Sequence, residues 1–333
     1  MGMTPHERVL AALAGKPLDC PPVSLWRHFP EKDQTARDLA TATVEWQHML
    51  DLDFIKLMPP GDYPTIDWGG RSEFRGALTG TREVIRYPVQ APEDWRKITF
   101  INVDTGFNAE IIQTCRLLRE AIGPDVPILQ TIFSPLTIAK KLSNGLVMDH
   151  IRTHPALVHR ALECIQEVTI QITKKSLAAG ANGIFFATQC ATSDLVSREE
   201  YTEFGLQYDL PVLTAASEGG SIFTLVHIHG ANTYFDMLAK TNVHAISWHD
   251  RRIGPSIKEV LKSYPDKAAV CGIDEAMIAS MEPDEMIVHI KHARKQAEDR
   301  SLLIAPGCVI PVSTPEVNLK AAVKASRQPI CRA

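Results

Sequence analysis

Several features are missing from this 333-residue chain, and each absence removes a class of protein. There is no stretch of eighteen apolar residues, so no transmembrane helix is expected. There is no run of five or six like charges, and 35 Lys+Arg against 39 Asp+Glu leave a net charge of −4. No basic field exists to draw a nucleic acid. The seven cysteines (20, 115, 164, 190, 271, 308 and 331) are odd in number, scattered and without a Cys-x-x-Cys pair, which suits reduced thiols better than a disulfide framework. The segment Met1 to Leu18 carries His6, Glu7, Arg8 and Lys16 where a signal peptide would have a basic stub and an apolar core, so a cytoplasmic protein is expected. Neither Gly-x-Gly-x-x-Gly nor Gly-x-x-x-x-Gly-Lys-Ser/Thr follows the first strand-like run. The nucleotide signature of a doubly wound open sheet is therefore missing.

What is present is an alternation. Apolar, β-rich runs occur at residues 23–27, 54–58, 127–133, 183–188, 222–229, 245–248, 268–273 and 302–306. Helical patterns separate them, among them 155–179 ending at Gly180, 232–241, 257–263 and 284–297. An opening helix is marked by Thr4, Pro5 and Glu7, the arrangement of a capping box. Strand and helix repeated eight times imply parallel pairing with right-handed crossovers, hence an α/β fold of the (β/α)8 TIM-barrel type in a single domain spanning 1–333. The runs are apolar on both faces, as strands between a packed interior and a ring of helices should be. The stretch 59–106 is too long and too rich in Gly, Pro and aromatics for a connector. It is read as a loop insertion after the second strand, folded over the barrel mouth, with a hairpin pairing Asp67–Gly70 and Glu83–Tyr87.

Barrel enzymes carry their reactive groups at the carboxyl ends of the strands. Here those ends are polar: Arg27-His28, Lys56, Gln189-Cys190, His227-Ile228-His229, His249-Asp250, Asp274-Glu275 and Cys308. Side chains two apart on a strand leave the same face, so His227 and His229 can converge on one point. With Cys308 at the equivalent height they form a three-ligand set that zinc accepts while keeping a coordination position open. A pair of hydrogen-bonded histidines is the competing reading. The other cysteines, including Cys190 and Cys271, are assigned to packing or surface. Lys56 and Arg27-His28 suit an anion clamp, or alternatively a solvent-reaching lysine and rim ion pairs.

Four segments then identify a resemblance. They are Thr-Pro-His-Glu-Arg-Val-Leu-Ala-Ala-Leu at the start, Pro-Val-Ser-Leu-Trp-Arg-His-Phe-Pro at the first run, Phe-Ser-Pro-Leu-Thr-Ile-Ala at 133–139, and Ala-Pro-Gly-Cys-Val-Ile-Pro-Val-Ser-Thr-Pro-Glu-Val-Asn-Leu near the end. In this order they resemble the uroporphyrinogen decarboxylase superfamily, which implies a (β/α)8 barrel. The resemblance implies one of two chemistries: metal-free decarboxylation of uroporphyrinogen, or zinc-dependent methyl transfer from methylated corrinoid proteins to a thiol such as coenzyme M. The decarboxylase pattern Arg-x-x-x-Arg has Arg27 but Glu31 here, Leu57-Met58-Pro59 stands where an aspartate is expected, and Gly307-Cys308-Val309 replaces Gly-His-Gly. The methyltransferase pattern His-x-Cys-Gly and Gly-Cys is met by His227-Ile228-His229-Gly230 and Gly307-Cys308, with one thiolate exchanged for an imidazole.

The resemblance therefore implies a zinc-dependent methyltransferase-like enzyme with His227, His229 and Cys308 on the metal. The exchange leaves zinc formally at about +1 rather than neutral, a stronger Lewis acid towards its next ligand. A methylated corrinoid protein or methylated small molecule would be presented at the mouth. Arg27, His28 and Lys56 would orient an anionic part of the substrate, and Gln189 and His249 would serve hydrogen bonding or proton transfer. The insertion near Tyr63–Trp68 would help exclude water. Two rivals are retained: a metal-free decarboxylase or lyase of a carboxylated small molecule, and a non-catalytic barrel that binds a corrinoid or tetrapyrrole. No nucleic-acid or membrane partner is expected; the oligomeric state is left open, with a homodimer among the options.

Overall fold

A computed structural model describes residues 2–298 and 300–328. Its frame is a seven-stranded sheet of β1 (Ile55–Leu57), β4 (Ile128–Phe133), β5 (Gly183–Thr188), β6 (Phe223–Ile228), β7 (Ala245–Trp248), β8 (Ala268–Ile273) and β9 (Leu302–Pro306), in that order. Every neighbouring pair is parallel. A separate antiparallel hairpin, β2 (Arg71–Glu73) and β3 (Glu83–Arg86), lies between β1 and β4 in the chain. Every residue of the seven sheet strands is buried, which is why they read as unbroken apolar runs. Helices cross between them, including Pro155–Ala178, Ile257–Ser263 and Pro283–Ala297. The capping box at Thr4 and Glu7 opens the helix Pro5–Leu13. Among the described residues, no helix is long and apolar enough to cross a membrane.

The first run departs from expectation. Residues 23–27 form no strand; Val23 alone makes a parallel bridge, to Ile304 of β9. Ser24 N–H donates to Ile304 O (3.0 Å) and Ile304 N–H to Pro22 O (2.8 Å), while Asp53 N–H, just ahead of β1, donates to Val23 O (2.8 Å). The run thus meets β9 and the residue leading into β1, but Trp26 O accepts from Ile310 N–H (3.2 Å) and side chains take two of its other backbone groups. Val23 N–H is taken by the Asp53 carboxylate (2.9 Å) and Leu25 O by Trp46 Nε1–H (2.8 Å). A backbone satisfied by side chains has no need of a ladder.

The stretch 59–106 also differs in detail. Asp67–Gly70 is not a hairpin arm. It closes the short helix Tyr63–Ile66, and the Asp67 carboxylate caps the helix Gly106–Ile122 by accepting from Phe107 N–H (2.7 Å) and Asn108 N–H (2.9 Å). The arm that pairs with Glu83–Arg86 is Arg71–Glu73. The connection between these arms is tied down by Val312 N–H donating to Leu78 O (2.8 Å). Gly80, at φ +75°, passes so close to His28 and Val312 that a Cβ would stand 2.7 Å from each side chain.

Inside the sheet, aromatic rings stack upward from the amino ends of the strands. Phe54 meets Phe223 at 5.5 Å between centroids, Trp26 meets Phe185 at 5.6 Å, and Phe185 meets His227 at 5.2 Å. This packed base fills the interior below the strand ends and leaves the space above it open.

Candidate functional site

Above the aromatic base lies a cavity of about 620 Å³. It lies along the carboxyl ends of β1, β4, β5, β6, β7 and β9, and its lining includes Trp26, Phe133 and Phe185 as well as the polar groups below.

One side of the cavity holds a cluster of metal-competent groups. His227, His229, His249 and Cys308 each offer a ligand atom, and these four atoms all lie within 4.8 Å of one another. His227 comes from β6, His229 from the residue after its end, His249 from the residue after β7, and Cys308 from just past β9. His249 Nε2 stands 3.2 Å from His229 Nδ1, and Cys308 Sγ stands 3.9 Å from the same nitrogen. Zinc bound at ~2.0–2.3 Å to nitrogen and sulfur places its ligands roughly 3.3–3.8 Å apart, so small side-chain adjustments would accommodate it. The protonation states also suit a cation. Burial, with the neighbouring histidines, pushes His227 well below the ordinary imidazole value and His229 to about 4. Both rings are therefore neutral ligands near pH 7. Burial pushes the Cys308 thiol up, opposed in part by a backbone hydrogen bond at Val309 and the charge of Lys56.

Glu275, just past β8, orients one member of the cluster. Its carboxylate accepts from His249 Nδ1–H at 2.6 Å, which leaves His249 Nε2 facing His229. A carboxylate behind the ring is the usual way a ligating histidine is held in one tautomer. Burial works against the Glu275 charge, but the His249 hydrogen bond, a backbone hydrogen bond and Arg252 outweigh it, and its pKa lies below the usual carboxylate range. Gly307 permits this approach, since a Cβ there would come within 2.9 Å of Glu275 Oε2.

The opposite side carries lysines that form no ion pair among the described residues. Lys56 projects from β1, 8% exposed, with Nζ 4.3 Å from the centroid of Phe185 and 5.7 Å from that of Trp26. Burial lowers its pKa to about 7. Lys141, in the helix Pro135–Leu142, sits 4.7 Å from the centroid of Phe133, and burial lowers it to about 8. His28 is buried with its Nδ1 unpartnered, and burial together with the lysine charges lowers it to about 3.

Of the eight residues singled out from the sequence, seven line this cavity: His28, Lys56, Gln189, His227, His229, His249 and Cys308. Arg27 does not. Trp26 and His28 turn into the cavity while Arg27, between them, faces a neighbouring hollow, stacked 4.5 Å over the Trp46 ring and donating to Val312 O (2.5 Å). The alternation of side chains along an extended backbone separates it from its neighbours. Glu275 and Lys141 also line the cavity and carried no assigned role from sequence. Glu275 could have been found from its place at the end of the seventh expected run; Lys141 sits in a helix and gave no such signal. Cys20, Cys115, Cys190 and Cys271 are buried thiols and Cys164 is half-buried, all free of disulfides. Cys331 lies outside the described residues.

Known proteins resemble this chain over most of its length. The methylcobamide:CoM methyltransferase MtbA of Methanosarcina acetivorans is 23% identical over 97% of this chain and 98% of its own. The methylcobamide:CoM methyltransferase MtaA of Methanosarcina barkeri is 30% identical over 65% of this chain and 62% of its own. A solved methyltransferase from Methanosarcina mazei superposes with a TM-score of 0.84 at 21% identity, covering 97% of this chain and 98% of that one. The uroporphyrinogen decarboxylase (URO-D) family model matches residues 72–329, well over half of the sequence. The chain belongs to the uroporphyrinogen decarboxylase family.

Proposed function

We propose that this protein is a (β/α)8-barrel methyltransferase that moves a methyl group from a corrinoid, carried on a partner protein, to a metal-activated thiol. The single observation behind this reading is the convergence of His227, His229, His249 and Cys308 in one cavity. Support comes also from the full-length likeness to enzymes named as methylcobamide:CoM methyltransferases. In this reading the first run acts as the eighth stave, and the stretch 59–106 folds over the mouth.

The residues present fit zinc. His227, His229 and Cys308 would hold it, with His249 supplying a further nitrogen. When bound, the ion supplies Lewis acidity that lowers the pKa of an acceptor thiol. The protein's own groups do the rest. Glu275 retains the proton on His249 Nδ1 and keeps Nε2 turned inward. Lys56 and His28 orient an anionic part of the acceptor from the opposite side, and Gln189 supplies a hydrogen bond at the rim. Trp26, Phe133 and Phe185 exclude water, which strengthens every charge interaction in the cavity. Arg27, stacked on Trp46 and donating to Val312 O outside the cavity, has no part in this arrangement.

The test is methyl transfer from methylcobalamin to a small thiol, followed by loss of the methylcobalamin visible spectrum. We expect turnover in the zinc-replete protein and loss of it after chelation, restored by zinc. Turnover on carboxylated substrates that survives chelation would replace this reading with a metal-free lyase.

A further inference from the structure

A second chamber of about 340 Å³ opens beside the main cavity, and the two share Gly61, Thr81, Lys141 and Gln189 as lining. Asp62 lines this side chamber; it is 6% exposed, and neither of its carboxylate oxygens has a hydrogen-bond partner. A buried carboxylate without a donor is costly and calls for one. Lys141, at the junction of the chambers, feels the charge of Asp62 but forms no ion pair within hydrogen-bond reach among the described residues, and its head rests over the Phe133 ring. Lys140 adds a second ammonium group to the same chamber. Arg82 also lines it, but is already engaged by Pro30 O and Asp33.

These unmet demands discriminate between ligands. A simple anion would satisfy Lys141 but leave the Asp62 carboxylate without a donor. A simple amine would satisfy Asp62 but meet two ammonium groups. A group carrying both signs a few bonds apart meets both demands, and charge-assisted hydrogen bonds at each end make the match specific.

We propose that the side chamber binds a zwitterionic α-amino acid head, its ammonium on Asp62 and its carboxylate on Lys141, with the ligand's tail reaching past Gln189 into the main cavity. The thiol end rests on the methyl-transfer reading above; the acceptor would then be an α-amino-acid thiol whose carboxylate sits on Lys141 in place of Lys56 and His28. The head-group site stands apart from that reading, because it uses none of the metal-competent residues.

Isothermal titration of the full chain with three probes that lack sulfur tests it: L-norleucine, hexanoate and pentylamine. Norleucine should bind, and the other two at least about tenfold more weakly, since each forfeits one charge-assisted contact. Asp62→Asn should weaken norleucine about tenfold and leave hexanoate unharmed, and Lys141→Met should weaken norleucine similarly and leave pentylamine unharmed. Circular dichroism of each variant, with Lys141→Arg as the charge-conserving control that retains norleucine binding, separates a lost contact from a lost fold. Equal binding of the three probes, preference for hexanoate, absence of any binding, or indifference of norleucine to both substitutions would overturn the proposal; the last would mean that Asp62 and Lys141 serve only each other. If methylcobalamin turnover fails while norleucine selectivity persists, the proposed activity falls and this site stands.

Discussion

The two sides of the cavity treat positive charge in opposite ways. Along the ends of β6, β7 and β9, burial keeps His227 and His229 neutral, and a ligand atom of each lies within 4.8 Å of one from His249 and of Cys308 Sγ. Across from them, Lys56 and Lys141 keep their heads over aromatic rings, with no carboxylate paired to either among the described residues. The first side is short of a cation and the second is short of anions. A cavity divided in this way suits a ligand with a soft donor at one end and negative charge at the other, held in one orientation by the division itself.

The largest effect should come from breaking the histidine side. His229→Ala removes the group whose Nδ1 faces both His249 and Cys308, and turnover should fall by roughly a hundredfold or more, read from the methylcobalamin assay. A milder break is Glu275→Gln, which keeps the size of the side chain but loses the carboxylate behind His249. Metal affinity should drop by about 10–100-fold, measured by competition with a chromophoric chelator. An unchanged affinity would mean that His249 is held by packing alone.

Breaking the lysine side should act on stability as well as on turnover. Burial lowers the folded-state pKa of Lys56 to about 7, below its unfolded value. The unfolded chain therefore holds a proton that the folded chain has lost between about pH 7 and pH 10.4, and stability rises with pH across that window. Lys56→Met should then stabilise the protein at pH 7 by on the order of 4 kcal/mol, a gain that disappears above about pH 10.4, while methyl transfer is impaired. Urea denaturation at pH 7 and pH 10.5 checks the sign. The smallest effect is expected at Arg27, which faces away from both sides. Arg27→Ala should leave metal binding intact and cost about 1 kcal/mol from its stack on Trp46.

Much of this arrangement was legible in the sequence. Seven of the eight β-rich runs appear as sheet strands at nearly the expected bounds, because strands buried on both faces announce themselves by unbroken apolar runs. The first run failed as a strand because Asp53 and Trp46, distant in sequence, claim its backbone groups. His227, His229 and Cys308 were found because the polar ends of strands face one mouth. The same rule placed Arg27 beside His28 and misled: a strand end shows that a residue is at the mouth, not which way its side chain turns. His249 as a fourth member of the cluster, Glu275 behind it and Lys141 opposite depend on how neighbouring strands and a crossing helix are staggered, which a one-dimensional pattern does not carry.

The most direct test is elemental analysis of the full chain purified without chelator, beside His227→Ala and Cys308→Ser. Close to one zinc per chain is expected in the native protein, with a large loss in both variants that remain folded. A native protein free of zinc even after incubation with the metal, or variants that bind as much as the parent, would contradict that expectation.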